Sequence, residues 1–495
     1  MGDENTILSE AEVRHVLRRT GFGSPPKEMK KVLRKAGNPA TRGSLAEVLF
    51  SFKPRRYRLG GRDPYQAHNK WVAALAKTKF PVQSKLALFW HDHFATQIAV
   101  VGEVKIMARQ IGLLHVQAAG NFKEFVKAMH RDAAMMEMLD TIRNRKAIPN
   151  ENYAREVLEL FCIGVTDLHG QPNYTQEDVS RLARAFTGWA YEWPKGTPTF
   201  RDWHHDYMAE YPERGPKVIF RSTGGFGPEG RDFASAGEGE VEIDVATDII
   251  FEHRDSAGRN SVAAWITRRL LEFYTHDAYA NPGPAEIEVI DEIIAASNFT
   301  STWSIADLCR AIVEHDVFYE TASPAPFDAN TRKSIKHPID YFVSTLRMTG
   351  VRLRTGEARV FGGSYDSAWS HLSKMGQQVL YPPSVFGWEW GRGFINSATL
   401  LARFAFSRDV TASEGSGGFR PWKLVDMDLT LPEEILDAVL DSLGIADQFG
   451  PAERTILIDY LTDGGATATL DLWEDDTKLR GLYLQVFQSP IYQMF

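Results

Sequence analysis

Apolar residues recur at three- and four-residue intervals along most of this chain, the spacing of a single buried helix face. In PVQSKLALFWHDHFA, residues 81–95, Leu86, Phe89, Trp90, His93 and Phe94 fall at that spacing. The same pattern predicts helices at 104–119, 121–130, 151–163, 176–188, 243–253, 260–275, 285–296, 303–315, 335–348, 396–408, 432–443, 451–462 and 476–487. Ser9 with Glu12 forms a capping box that opens a helix through Arg18 and Arg19, and Thr175 with Asp178 forms another. Strand signals are sparse. KVIF (217–220) and EVEI (240–243) are expected to pair as a small hairpin around the glycine-rich STGGFGPEG. The expected fold is therefore all-α, predominantly helical with at most a small β-hairpin, arranged as a multi-helix globular body of two lobes.

Breaks in composition suggest its division. An N-terminal helical lobe, 1–220, would carry most candidate chemistry, and a Gly-rich loop, 221–240, would follow it. A C-terminal helical lobe, 241–410, holds an aromatic Pro/Gly turn, then a flexible loop, 411–420, leads to a terminal helical segment, 421–495. No repeat of fixed period is present. STGGFGPEG lacks the Lys-Ser/Thr ending and the βαβ setting of a phosphate-cradling loop, so it reads as a connection.

Composition narrows the classes. The chain is 43% hydrophobic and 24% charged, the balance of a packed protein, and its net charge of −8 supplies no global field toward nucleic acid. The basic runs RKAG (34–37) and KPRRYR (53–58) read as solvated faces, and nucleic acid is not an expected partner. Two cysteines, Cys162 and Cys309, sit in apolar helical patterns and are expected to be buried free thiols; a disulfide scaffold and a multi-cysteine metal site are excluded. No run of 18 apolar residues occurs, so no membrane span is expected. RRTGFG (18–23) is followed by polar SPPKEMKKVLRK, not by the apolar stretch of an export leader, which reads as cytoplasmic.

Four segments offer chemistry. In NENYAREVLELF (150–161), Asn152, Arg155, Glu156 and Glu159 form one polar stripe, with Tyr153, Val157, Leu160 and Phe161 on the other side. Glu156 and Glu159 are close enough to share an ion or a proton, with Arg155 to neutralise one of them; Asn150 fits an N-cap. The bland reading is a wet face with local ion pairs. In FWHDHF (89–94), His91 and His93 point about 200° apart on a helix and cannot chelate one ion together, so at most one faces a site. In WHHDYMAEYPERGPK (203–217), His204, His205 and Asp206 lie in a loop and Lys217 follows, a catalytic set or an ordinary surface. YPPSVFGWEWGRGFIN (381–396) is a rigid aromatic turn that either plugs the two lobes or lines a cleft with Trp388, Arg392 and Asn396.

Taken together and in order, these segments resemble the bacterial family known as domain of unknown function 1800. The resemblance rests on HVLRRTGFG (15–23), LALFWHDHFAT (86–96), NENYAREVLELFCIGV (150–165), YTQEDVSRLARAFTGW (174–189), HHD followed by GPK (204–217), IKHPIDYFVSTLRMTG (335–350) and GQQVLYPPSVFGWEWGRGFINSATLLAR (376–403). The chain departs from the family pattern at Asp92, where Asn is usual, at Cys162, where Thr is usual, and in a longer spacing from His205–Asp206 to Lys217. The resemblance implies a predominantly helical protein with no established activity. It further implies a periplasmic or exported setting and a companion sulfatase-like protein as partner. It groups His91, His93, Asn150, Asn152, Arg155, Glu156, Glu159, Thr187, Trp189, His205, Asp206 and Lys217.

The favoured expectation is a hydrolase. Glu156, Glu159, Arg155, His205, Asp206 and Lys217 would be catalytic, and Asn152, Trp189, Trp388 and Arg392 would contact substrate. His91, His93, Glu156 and Glu159 would hold a divalent metal ion that activates water. Without metal, the carboxylates would act as general acid and base. Two alternatives are a non-catalytic interaction or maturation partner anchored by some of the twelve tryptophans, and a polysaccharide-binding protein.

Overall fold

The computed structural model describes residues 2–320, 334–354, 358–360, 366–474 and 476–495. Helices dominate, as the periodicity predicts, and the only sheets among the described residues are two antiparallel pairs of strands, beside isolated β-bridges. Both capping boxes form: Ser9 opens Glu10–Thr20, and Thr175 opens Gln176–Ala185. The helices Pro26–Ala36, Arg42–Phe50 and Pro64–Lys77 were not anticipated, although Pro26 and Pro64 stand at first-turn positions suited to proline.

Two helices lie at the centre. Pro81–His93 is buried on nearly every side from Val82 to His93, and Pro338–Thr349 is buried over most of its length. A helix covered all round belongs to the interior, so the one-sided apolar face expected at 81–95 is corrected. Lys85 Nζ meets Asp340 Oδ1 at 2.6 Å between these two helices. From Glu10–Thr20, Arg19 donates to the carbonyls of Tyr274 and Thr275, each at 2.6 Å, and so grips the end of Ser261–Tyr274. One apolar core runs through the molecule, from Leu8 to Tyr492. Cys162 and Cys309 are buried free thiols within it.

The sheets correct the hairpin. Val218–Ile219 is a strand, but its partner is Arg231–Asp232, brought back by the glycine-rich loop. EVEI instead enters the helix Glu242–Glu252, because Ile243, Ala246, Ile249 and Ile250 continue its apolar positions at helical spacing. A second hairpin pairs Trp189–Glu192 with Thr197–Phe200.

Candidate functional site

The segment 150–162 starts as an α-helix and then widens. Asn150 Oδ1 accepts the Asn152 N–H at 2.9 Å, and Asn152–Glu156 is α-helical. Val157–Cys162 is a π-helix, a form that recurs at functional sites. Tyr153, Ala154, Val157, Leu158, Phe161 and Cys162 are buried. A wider turn rotates each residue less, so Glu156 and Glu159 stand further apart around the axis than an α-helix would set them. Arg155 turns to Glu151 at 3.1 Å and Gln176 at 2.8 Å and bonds neither of the two glutamates. Glu159 accepts the Tyr174 hydroxyl at 2.9 Å.

Glu156 is half-buried, and its Oε2 is buried without a hydrogen-bond partner. Burial, and then the neighbouring Glu159 charge, raise its carboxyl from 4.5 to about 7, against the pull of Arg155. The polar stripe is therefore uneven: Asn152 is exposed, Arg155 and Glu159 are bonded, and Glu156 is partly desolvated with one oxygen unbonded.

The two histidines expected to join these glutamates are engaged elsewhere. His91 Nε2 accepts the Leu380 N–H at 3.0 Å, and its ring lies between Trp71 and Trp388. His93 Nε2 donates to the Phe161 carbonyl at 3.1 Å, which docks the histidine helix on the π-helix. Burial lowers both imidazoles from 6.5 to about 3. Asp92, between them, accepts the Trp388 N–H at 2.7 Å and lies 3.4 Å from Arg269; burial raises it to about 7. The second and fourth candidate segments thus meet each other, with Asp92 fastening the aromatic turn to the histidine helix. Trp388 is buried in that turn and Arg392 is exposed on it.

His205, Asp206 and Lys217 meet in a third place, each fully buried. His205 Nδ1 lies 2.9 Å from the Thr187 carbonyl and so carries the hydrogen, leaving Nε2 to face Lys217 Nζ at 3.3 Å. The ammonium also meets Glu242 at 2.6 Å and Glu238 at 3.2 Å, so its three donors have three acceptors. Asp206 receives Arg184 at 3.0 Å and Arg214 at 2.5 Å. The longer spacing to Lys217 is absorbed by the intervening turns. Trp189 is buried nearby in sequence but packs under Arg131, 4.8 Å from its ring centre.

The residues grouped by the sequence reading are therefore held in different bonded networks. Among the described residues, no hydrogen bond or ion pair links Glu156 or Glu159 to His91, His93, His205, Asp206 or Lys217. Sequence reasoning missed Glu242, Arg184 and Tyr174, which have no fixed spacing from the groups they serve. It also missed Asp366, His371 and Asp409, the one group of three potential ligands close enough for an ion among the described residues, with ligand atoms within 4.8 Å of one another. His371 is buried, and its Nε2 lies 3.4 Å from Asp409 without making a hydrogen bond. Lys374 competes for Asp366 at 2.7 Å.

The model of the family described as "Protein of unknown function (DUF1800)" matches residues 15–494. No curated protein and no solved structure matches the chain. Among the described residues, no helix is long and apolar enough to cross a membrane.

Proposed function

The chain belongs to the DUF1800 family of proteins of unknown function, which hands down no activity, and from its own residues we propose that it is a hydrolase with Glu156 as its proton-transferring group. The observation that carries this reading is the Glu156 carboxyl itself: partly desolvated, one oxygen unbonded, and raised to about 7. A carboxyl in that range gives and takes protons at neutral pH, which an ordinary surface glutamate does not. Glu159, oriented by Tyr174, stands beside it, while Asn152 and Arg155 on the same stripe offer polar contacts to a substrate. The buried His205–Lys217–Glu242 network frames the neighbouring loop and touches no substrate in this scheme. The acid/base form of the hydrolase is favoured over metal held by His91 and His93, because both imidazoles already serve backbone groups.

The test is turnover of chromogenic p-nitrophenyl esters, phosphodiesters and glycosides by the full chain and by Glu156→Gln. Loss of about 100-fold or more in the variant, with unchanged circular dichroism, supports the proposal. Equal turnover by the two proteins overturns it.

A metal-assisted reading is favoured by one observation, the Asp366–His371–Asp409 group with its unbonded imidazole nitrogen. A divalent ion there would polarise water or a substrate oxygen. Metal content by plasma mass spectrometry decides it: a stoichiometric ion lost in His371→Ala supports this site, and metal-free protein in both removes it.

A further inference from the structure

A cavity of about 530 Å³ opens between Pro26–Ala36, the end of Arg42–Phe50 and the start of Pro81–His93, within the size range of small-molecule sites. Its wall carries six cations: Lys27, Lys31, Lys35, Lys53, Arg55 and Lys79. Lys27, Lys31 and Lys35 recur every four residues and so share one face of their helix. All six are exposed, and none has an ion-pair partner among the described residues. The acid on the same wall, Glu28, is already bound by Arg347. Six unpaired like charges around one opening are a local reversal of a chain whose net charge is −8. Their mutual repulsion is relieved by an anion.

The floor is apolar. Leu17, Leu49 and Val82 are buried at its base, Phe52 packs beside them, and Phe80 lies at the rim under the Arg55 guanidinium, 4.7 Å from its ring centre. A bare inorganic anion would leave that floor wet, and an uncharged apolar molecule would leave the cations unpaired. Lysines predominate over arginine forks, which suits a head group held by diffuse charge rather than by a fixed bidentate pair.

We infer that this cavity binds a single-chain anionic amphiphile, its alkyl tail on the Leu17–Leu49–Val82 floor and its carboxylate or phosphate head among the lysines. The inference is independent of the hydrolase reading, because no Glu156-stripe residue lines the cavity. Calorimetric titration of the full chain with laurate, dodecyl phosphate, dodecyl maltoside and inorganic phosphate, each below micelle formation, tests it. Saturable binding of laurate or dodecyl phosphate is expected, at least about tenfold tighter than of dodecyl maltoside or inorganic phosphate, and weakened by added salt. The tighter of the two anionic amphiphiles identifies the head group. The combined Lys27→Gln, Lys31→Gln, Lys35→Gln variant, changed only at exposed positions, is expected to bind at least about tenfold more weakly with unchanged circular dichroism. Equal binding of the maltoside, equal binding of phosphate, no binding, or unaltered affinity in the variant overturns the inference. Adsorption to phosphatidylglycerol vesicles without laurate or dodecyl phosphate binding also overturns it, and replaces it with a membrane-surface contact.

Discussion

Glu156 concentrates the conflict between burial and charge on one side chain. Its carboxyl is raised from 4.5 to about 7 in the folded chain, chiefly by burial. Between those two values the folded protein holds a proton that the unfolded chain has released, so stability falls as pH rises across the window. Glu156→Gln removes that titration. Its stability is expected to decline less than the parent's from about pH 4.5 to 7, and to exceed it above pH 7. Urea denaturation at a series of pH values reads this directly. The group is only half-buried, so solvent screening makes the difference smaller than the full shift implies. Identical pH slopes in the two proteins would mean that the carboxyl is hydrated, and would weaken the catalytic assignment with it. The histidines make the opposite case: His91 and His93 are deeply buried, and the Nε2 of each is engaged by Leu380 or Phe161, so that their part is to hold elements together.

At the scale of elements, the aromatic turn locks onto the histidine helix through one carboxylate. Gly387 has a φ of +79° as the chain passes Asp92, and a Cβ added there would lie 2.4 Å from Asp92 Oδ1 and 2.7 Å from its carbonyl oxygen. Gly387→Ala is therefore expected to cost about 2–5 kcal/mol, combining left-handed strain with a clash the buried helix cannot relieve. Phe386→Ala, one residue away and exposed, is expected to change stability by less than about 0.5 kcal/mol. Denaturation midpoints compare the two, and equal costs would rule out the lock. This element also shows what the chain's pattern reveals and what it conceals. The helices at 260–275, 432–443 and 476–487 were legible because apolar spacing reports a buried face directly, and both capping boxes carry their mechanism within four residues. The π-turn at Val157–Cys162 was not legible, since shifting the hydrogen bonds by one residue barely alters the apolar pattern. The Glu156–Glu159 pair was visible as spacing. The contacts of Glu159 with Tyr174 and of Lys217 with Glu242 were not, because they depend on how separate elements come to lie together.

Across the whole molecule, the central helices meet at an interior with more cations than acids. Asp340 is fully buried, bonded to Lys85, and its charge is also felt by Arg19, Lys336 and Arg403. Burial raises Asp340 and lowers Lys85 to about 8, so neither charge is comfortable without the other. The surrounding cations reach far along the chain: Arg403 binds the Lys336 carbonyl at 2.8 Å, Lys336 binds that of Tyr492 at 2.8 Å, and the Phe495 ring lies under both Arg19 and Lys85. One carboxylate therefore balances cations drawn from the first helix, a central helix, the residues leading into the other at Lys336, and the helix Ser397–Thr411. Removing it strands several cations, whereas removing Lys85 leaves Asp340 still facing three. Asp340→Asn is expected to destabilise the protein by about 3–5 kcal/mol, and Lys85→Met by distinctly less. Chemical denaturation of both variants measures the difference. Equal costs would reduce the centre to an isolated Lys85–Asp340 pair; a larger cost for Asp340→Asn would make this side chain the charge on which the packing of distant segments depends.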